Sequence, residues 1–169
     1  EREAGRDFVP LFEKFGVSAE NISLVSDVLA AQEGIYGKEE GAADLYIGIP
    51  FCPSKCNYCS FITADIGKTG KYIGAYLDAL EKELAACKGM GRLKSAYMGG
   101  GTPLVLEVKD LERVLAAAAG LIPRGTEYTV EAGRPDVFTE EKLALLKDYG
   151  VTRICVNPQT FSDKTLERI

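Results

Sequence analysis

Apolar positions along the chain recur in two alternating rhythms. Leu11, Phe12 and Phe15 lie three to four residues apart and predict a short helix that Gly16 ends. Ser18 is placed to cap a second helix running through Ile22, Val25, Val28 and Leu29. From Gly34 to Ala43, three glycines (Gly34, Gly37, Gly41) sit among charges, which is loop chemistry. Beyond Asp44, short apolar runs alternate with helical periods. Leu45 to Ile49 ends at Pro50 and predicts a buried strand. Tyr72, Ile73, Tyr76, Leu77, Leu80, Leu84 and Cys87 mark one face of a helix, ended by Gly89 and Gly91. Ser95 to Met98 predicts a second strand that runs into Gly99-Gly100-Gly101. Leu111, Val114, Leu115 and Ala118 mark the next helix, ended by Gly120 and Pro123. Glu127 to Ala132 reads as a third strand. Thr139 caps a third helix, with Glu140 and Glu141 in the first turn, where the helix dipole favours acids, and Gly150 just past its end. Thr152 to Val156 reads as a fourth strand, and Ser162 caps the start of a fourth helix.

A strand-helix unit repeated four times implies an α/β fold with a parallel sheet and right-handed crossovers. The expected organisation is an N-terminal helical segment over residues 1–43, then part of a β/α barrel over residues 44–169. About four β-α units are too few to close a barrel. The absence of an initiator Met, the unfinished helix at Ser162–Ile169 and the uncovered fourth strand lead us to expect a piece of a longer protein.

Composition narrows the chemistry. The 169 residues are 46% hydrophobic and 27% charged, the balance of a soluble globular domain, and no apolar run is long enough for a membrane span. A net charge of −5 argues against non-specific nucleic-acid binding, which needs a basic face. The chain has no histidine, which excludes Ser-His-Asp and Cys-His catalysis and every His-ligated metal site. Five cysteines with no signal-like apolar start point to a reducing, cytoplasmic compartment and to metal or redox use.

The cysteine loop is the most informative stretch: Ile49-Pro-Phe-Cys52-Pro-Ser-Lys-Cys56-Asn-Tyr-Cys59-Ser-Phe61. Its spacing is C-x3-C-x2-C, and it follows the first strand, at the sheet edge where such folds place their sites. Three thiols leave a tetrahedral zinc site one ligand short, so zinc would need a carboxylate or a partner. A [4Fe-4S] cluster can use three thiolates and keep one iron open to a substrate. Three unrelated thiols remain the bland alternative. Cys87, in step with an apolar helix face, and Cys155, between Ile154 and Val156, read as small buried hydrophobes. Lys55 reads as a solvated side chain.

With its aromatic Tyr58 just before the last cysteine, this loop resembles that of the radical S-adenosylmethionine (SAM) superfamily over residues 44–169. The Ile-Pro-Phe-Cys opening, Gly99-Gly-Gly-Thr-Pro103 and Asn157-Pro-Gln159-Thr160 are similar to the oxygen-independent coproporphyrinogen III oxidases. Tyr46-Ile-Gly-Ile-Pro-Phe-Cys, Glu131-Ala-Gly-Arg-Pro-Asp136 and Val156-Asn-Pro-Gln-Thr160 look most like the HemZ-type coproporphyrinogen dehydrogenase branch. Two positions depart from the proven oxidases: Phe61 stands where they commonly carry a further cysteine, and Gly48 where they have His. The related haem-chaperone branch also lacks that cysteine.

The resemblance implies a [4Fe-4S] cluster on Cys52, Cys56 and Cys59, with SAM beside it. It gives Gly99, Gly100, Gly101 and Thr102 to the methionyl amino end of SAM, and makes Tyr46, Tyr58, Glu131 and Gln159 further SAM contacts. Read without it, the glycines are an ordinary strand-to-helix turn, Tyr46 is core packing and Glu131 is a strand-end acid paired with Arg134. The implied activity is a radical SAM oxidoreductase of haem biosynthesis. A 5′-deoxyadenosyl radical would take hydrogen from a propionate of coproporphyrinogen III, and loss of carbon dioxide and an electron would leave the vinyl group of protoporphyrinogen IX. The implied electron donor is a flavodoxin or ferredoxin. The alternatives are a chaperone that binds haem and delivers it to clients, or a radical SAM enzyme with another substrate.

Overall fold

The computed structural model describes residues 7–33 and 41–168. Most of the loop expected over 34–43, and the last residue of the expected C-terminal helix, therefore lie outside the described residues. The chain divides into two compact units, 1–40 and 41–169.

In the first unit, α1 (Val9–Lys14) and α2 (Ala19–Ala31) pack on one another. Gly16 takes a φ of 72° between them, a left-handed conformation that stops α1. The Ser18 hydroxyl then accepts from the Asn21 N–H at 3.3 Å, capping α2 as its sequence position predicts.

In the second unit, β1 (Ala42–Ile49), β4 (Arg92–Gly100), β5 (Glu127–Gly133) and β6 (Arg153–Val156) form a parallel sheet in the order β1-β4-β5-β6. Each strand connects to its neighbour through a helix: α4 (Ile73–Ala86), α5 (Val108–Ala119) and α6 (Glu140–Asp148). Stepwise parallel addition with intervening helices is how a β/α barrel is laid down. Thr139 caps α6 by accepting from the Lys142 N–H, and Gly150 ends it with a φ of 80°. Among the described residues no helix is long and apolar enough to cross a membrane.

Strand alternation sorts the sheet into two faces. Ile47 and Ile49, Ala96 and Met98, and Tyr128, Val130 and Ala132 point to one core, where they meet Leu77, Leu80 and Leu84 of α4, Leu111, Val114, Leu115 and Ala118 of α5, and Leu146 of α6. Each such aliphatic side chain contributes about 1.5–3 kcal/mol on full burial. On α5, Arg113 bonds Asp78 at 2.7 Å and Glu81 at 2.9 Å, tying that helix to α4. The opposite face carries Tyr46, Gly48, Tyr97, Gly99, Thr129, Glu131 and Cys155, a largely polar and aromatic set in which Tyr46 is exposed and Thr129 buried.

Four local expectations change. The cysteine segment is not a plain loop: β2 (Phe51–Cys52) pairs in parallel with β3 (Ala64–Asp65), and a one-turn α3 (Ile66–Thr69) follows. Tyr72 and Cys87 are the N- and C-cap residues of α4 rather than members of its buried face, and Tyr72 is exposed. On β6, the edge strand of the sheet among the described residues, Ile154 and Val156 are exposed and Cys155 is half-buried. Ser162 precedes α7 (Asp163–Leu166), but its hydroxyl makes no cap bond.

Candidate functional site

The site is built at the C-terminal ends of β1, β4 and β5. Pro50 breaks β1, and the chain re-pairs at once as β2, so the cysteine loop springs from a fixed stem. Three backbone bonds hold that stem: Gly101 N–H to Ile49 O at 2.7 Å, Thr102 N–H to Phe51 O at 2.8 Å, and Ala64 N–H to Pro50 O at 2.8 Å. The glycine run after β4 is thus bonded directly to the chain leading into Cys52.

The glycines are demanded by this packing. A Cβ on Gly101 would lie 2.5 Å from Phe51 O and 3.0 Å from Cys52 Sγ. One on Gly99 would lie 2.8 Å from the Tyr97 ring and 2.9 Å from Glu131 Oε2. Gly100 has a φ of 111°, a conformation closed to other residues. The space they leave serves the protein's own groups as well as any ligand, which the ligand-approach argument from sequence does not contain.

Cys52, Cys56 and Cys59 are all free and half-buried. The buried Thr102 hydroxyl lies 3.6 Å from Cys52 Sγ, as a donor to it. Cys59 N–H bonds Cys56 O at 3.1 Å, so these two share one turn. Tyr58, between Cys56 and Cys59 in sequence, is exposed. Among the described residues, no three of His, Cys, Asp and Glu converge as the ligands of one ion would. Three soft, free thiols on a single loop would suit a cluster, in which each thiolate would take a different iron. On donor chemistry the residues fit that group.

Next to the loop, an open groove of 720 Å³ is lined by Tyr46, Tyr97, Gly100 and Glu131 from the strands and by Phe61 and Ile62 from the loop. The Tyr46 and Tyr97 rings stack at 5.9 Å with an 8° interplanar angle. Tyr97 donates to Glu131 Oε1 at 2.7 Å. Burial first, and then that bond to the carboxylate, push the Tyr97 hydroxyl pKa well above its ordinary value, so the group is a donor throughout the neutral range. Tyr76 of α4 donates to Gly48 O at the edge of β1.

Of the residues singled out by sequence, Tyr46, Gly100 and Glu131 line one groove, Gly99 abuts Glu131, and Gly101 and Thr102 abut Cys52. Tyr46 is 62% exposed, which sets core packing aside. Glu131 pairs with Tyr97, while Arg134 pairs with Asp136, so the Glu131–Arg134 alternative fails. Tyr58, exposed in the cysteine loop, is not among the residues that line the groove. Gln159 is exposed after β6 with a φ of 67°, and among the described residues no hydrogen bond joins its side chain to the site. Sequence reasoning missed Tyr97, whose signal was its alternation with Met98; it paired Arg134 with Asp136 as a possible turn pair, which the structure shows, but missed the reach of Arg134 to Ser54 Oγ at 2.7 Å across 80 positions.

The sequence pattern of the radical SAM superfamily matches residues 46–169. Over 163 residues the chain is 36% identical to the oxygen-independent coproporphyrinogen-III oxidase-like protein HemZ of Bacillus subtilis (strain 168), covering 89% of this chain and 32% of that protein. Over 126 residues it is 39% identical to the heme chaperone HemW of Lactococcus lactis subsp. lactis (strain IL1403), covering 73% of this chain and 32% of that one. The solved structure of coproporphyrinogen III oxidase (HemN) from Escherichia coli, a radical SAM enzyme, superposes with a TM-score of 0.65 at 25% identity, over 76% of this chain and 30% of that one. The chain spans about a third of the length of these relatives.

Proposed function

The chain belongs to the radical SAM superfamily, whose cofactors are a [4Fe-4S] cluster and SAM, and from that premise we propose that Cys52, Cys56 and Cys59 hold the cluster and that the Tyr46–Tyr97–Glu131 groove receives SAM. When bound, these groups supply one-electron chemistry that ends in abstraction of a hydrogen atom from the substrate.

The chain's own residues hold and shield. Thr102 donates to Cys52 Sγ and orients it on the loop stem. Tyr97 fixes one oxygen of Glu131, leaving Oε2 to accept from ribose hydroxyls or an ammonium. The stacked tyrosines with Phe61 and Ile62 give the groove an apolar wall for the ligand to pack against. Gln159, in the loop after β6, is the further SAM contact that the family resemblance implies.

The substrate we propose is coproporphyrinogen III, decarboxylated oxidatively to protoporphyrinogen IX: a flavodoxin- or ferredoxin-type donor would supply the electron for SAM cleavage, and each propionate would give up a hydrogen atom to the SAM-derived fragment, carbon dioxide, and one electron to an acceptor. The observation that carries the reading is the direct bonding of the cysteine stem to the glycine run beside Glu131. A second reading, a haem chaperone, is favoured by Phe61, which stands where proven oxidases commonly carry a cysteine, and by the HemW relatives. Anaerobic turnover of the full-length protein with SAM separates them. Stepwise loss of two carboxyl groups from the tetrapyrrole supports the oxidase. Haem binding and transfer to an apoprotein without decarboxylation supports the chaperone.

A further inference from the structure

The segment Glu131–Asp136 serves both halves of the site. Glu131 turns into the groove, and the register then slips between Glu131 and Gly133, where Gly133 takes a φ of 68°. This bulge re-aims the chain, and Arg134 emerges at the cysteine loop. Its Nη1 donates to Ser54 Oγ at 2.7 Å, two residues from Cys56. The Nε and Nη2 edge is taken by Asp136, at 3.0 Å to Oδ1 and 2.6 Å to Oδ2.

We propose that Arg134, aimed by Asp136, is a positioning residue that presents a fixed positive charge to Cys56 and so raises the reduction potential of the cluster. This rests on the reading that Cys52, Cys56 and Cys59 hold that cluster. Two features make the charge effective. The bidentate pair fixes the guanidinium plane, which a lysine cannot reproduce. It also places the counter-charge on the edge used by Nε and Nη2, leaving Nη1 to Ser54, so the pair acts as a dipole with its positive end toward the cysteine loop. Reduction adds one electron, hence one negative charge, to the cluster, and a nearby cation stabilises the reduced form. Lys55, in the same loop but exposed, is screened by solvent.

The test is a potentiometric titration of the full-length protein, reconstituted anaerobically with iron and sulfide and read by the electron paramagnetic resonance of the reduced cluster, without SAM. At a fixed solution potential, Arg134→Gln should lower the reduced-to-oxidised ratio about tenfold, which is about 59 mV for a one-electron couple. Arg134→Lys should lower it less. Asp136→Asn, which removes the counter-charge, should raise it. A residue acting only as a strut would move both variants in the same direction or neither, and either result at matched iron content overturns the proposal. If Arg134→Gln retains no iron, Asp136→Asn decides by the same sign. A wild-type protein that takes up no iron overturns the cluster assignment itself; a loaded protein whose potential ignores both residues overturns only the role of Arg134.

Discussion

Tyr97 and Glu131 meet diagonally across neighbouring strands. The register partner of Tyr97 on β5 is Thr129, yet its hydroxyl reaches two residues further, to Glu131 Oε1 at 2.7 Å. Directly opposite on the other side stands Tyr46, whose ring it stacks on. A single side chain therefore joins the aromatic wall of the groove to its carboxylate, and removing its hydroxyl separates the two functions.

Tyr97→Phe keeps the stack and frees Glu131. Losing a hydrogen bond to a charged group at a partly buried site costs about 1.5–3 kcal/mol. We expect SAM affinity to fall by a factor of about ten or more with iron content unchanged, as measured by calorimetry on reconstituted protein. Unchanged affinity would mean that Tyr97 does not orient the carboxylate.

The same pair sets a pH dependence. The folded-state pKa of Tyr97 is raised above its ordinary value of 10.0, by burial and then by Glu131. A raised pKa means that its stabilisation is complete below about pH 10 and is lost as pH rises through the folded value. The difference in Tm between wild type and Tyr97→Phe should thus be constant from about pH 7 to 9 and shrink only above about 10. A difference that vanishes between 7 and 9 contradicts this.

Much of this was legible in the sequence, and the omissions have physical causes. Ser18 and Thr139 cap their helices because a short oxygen-bearing side chain before an apolar period has one good use for its acceptor. The thiol spacing located the loop. The strand pair Phe51–Cys52 with Ala64–Asp65 was hidden because two residues carry no periodicity. The exposure of Ile154 and Val156 was hidden because an apolar run reports propensity for burial, while cover depends on the next helix. Tyr97 sits in an apolar-looking strand, and only the register against Tyr46 and Glu131 shows that it faces away from the core. Arg134 contacts Ser54 across a separation that no local pattern records.

Adjacent glycines should fail differently. Gly101→Ala places its Cβ against Phe51 O and Cys52 Sγ, so it should displace the cysteine stem and reduce iron per chain. Gly99→Ala meets Tyr97 and Glu131, so it should spare iron and weaken SAM binding. Overpacking of this kind costs about 1–3 kcal/mol. Iron assay and calorimetry on the two variants check the split. Identical behaviour would dissolve the distinction between the cysteine side and the carboxylate side of the run.

Alanine at Cys52, Cys56 or Cys59 should each lower iron binding to near background. Cys87→Ala and Cys155→Ala should leave it intact, since Cys87 ends α4 and Cys155 lies on β6 opposite Glu131 in register. Full iron content in Cys56→Ala would remove the cluster from this loop.

The most direct measurement is SAM cleavage by the reduced, iron-loaded protein under nitrogen, with 5′-deoxyadenosine and methionine quantified together. The account predicts that both form in equal amounts in the wild type, fall steeply in Glu131→Ala despite full iron content, and are absent when any of Cys52, Cys56 or Cys59 is alanine. A fully loaded wild-type protein that binds SAM and yields neither product would contradict it.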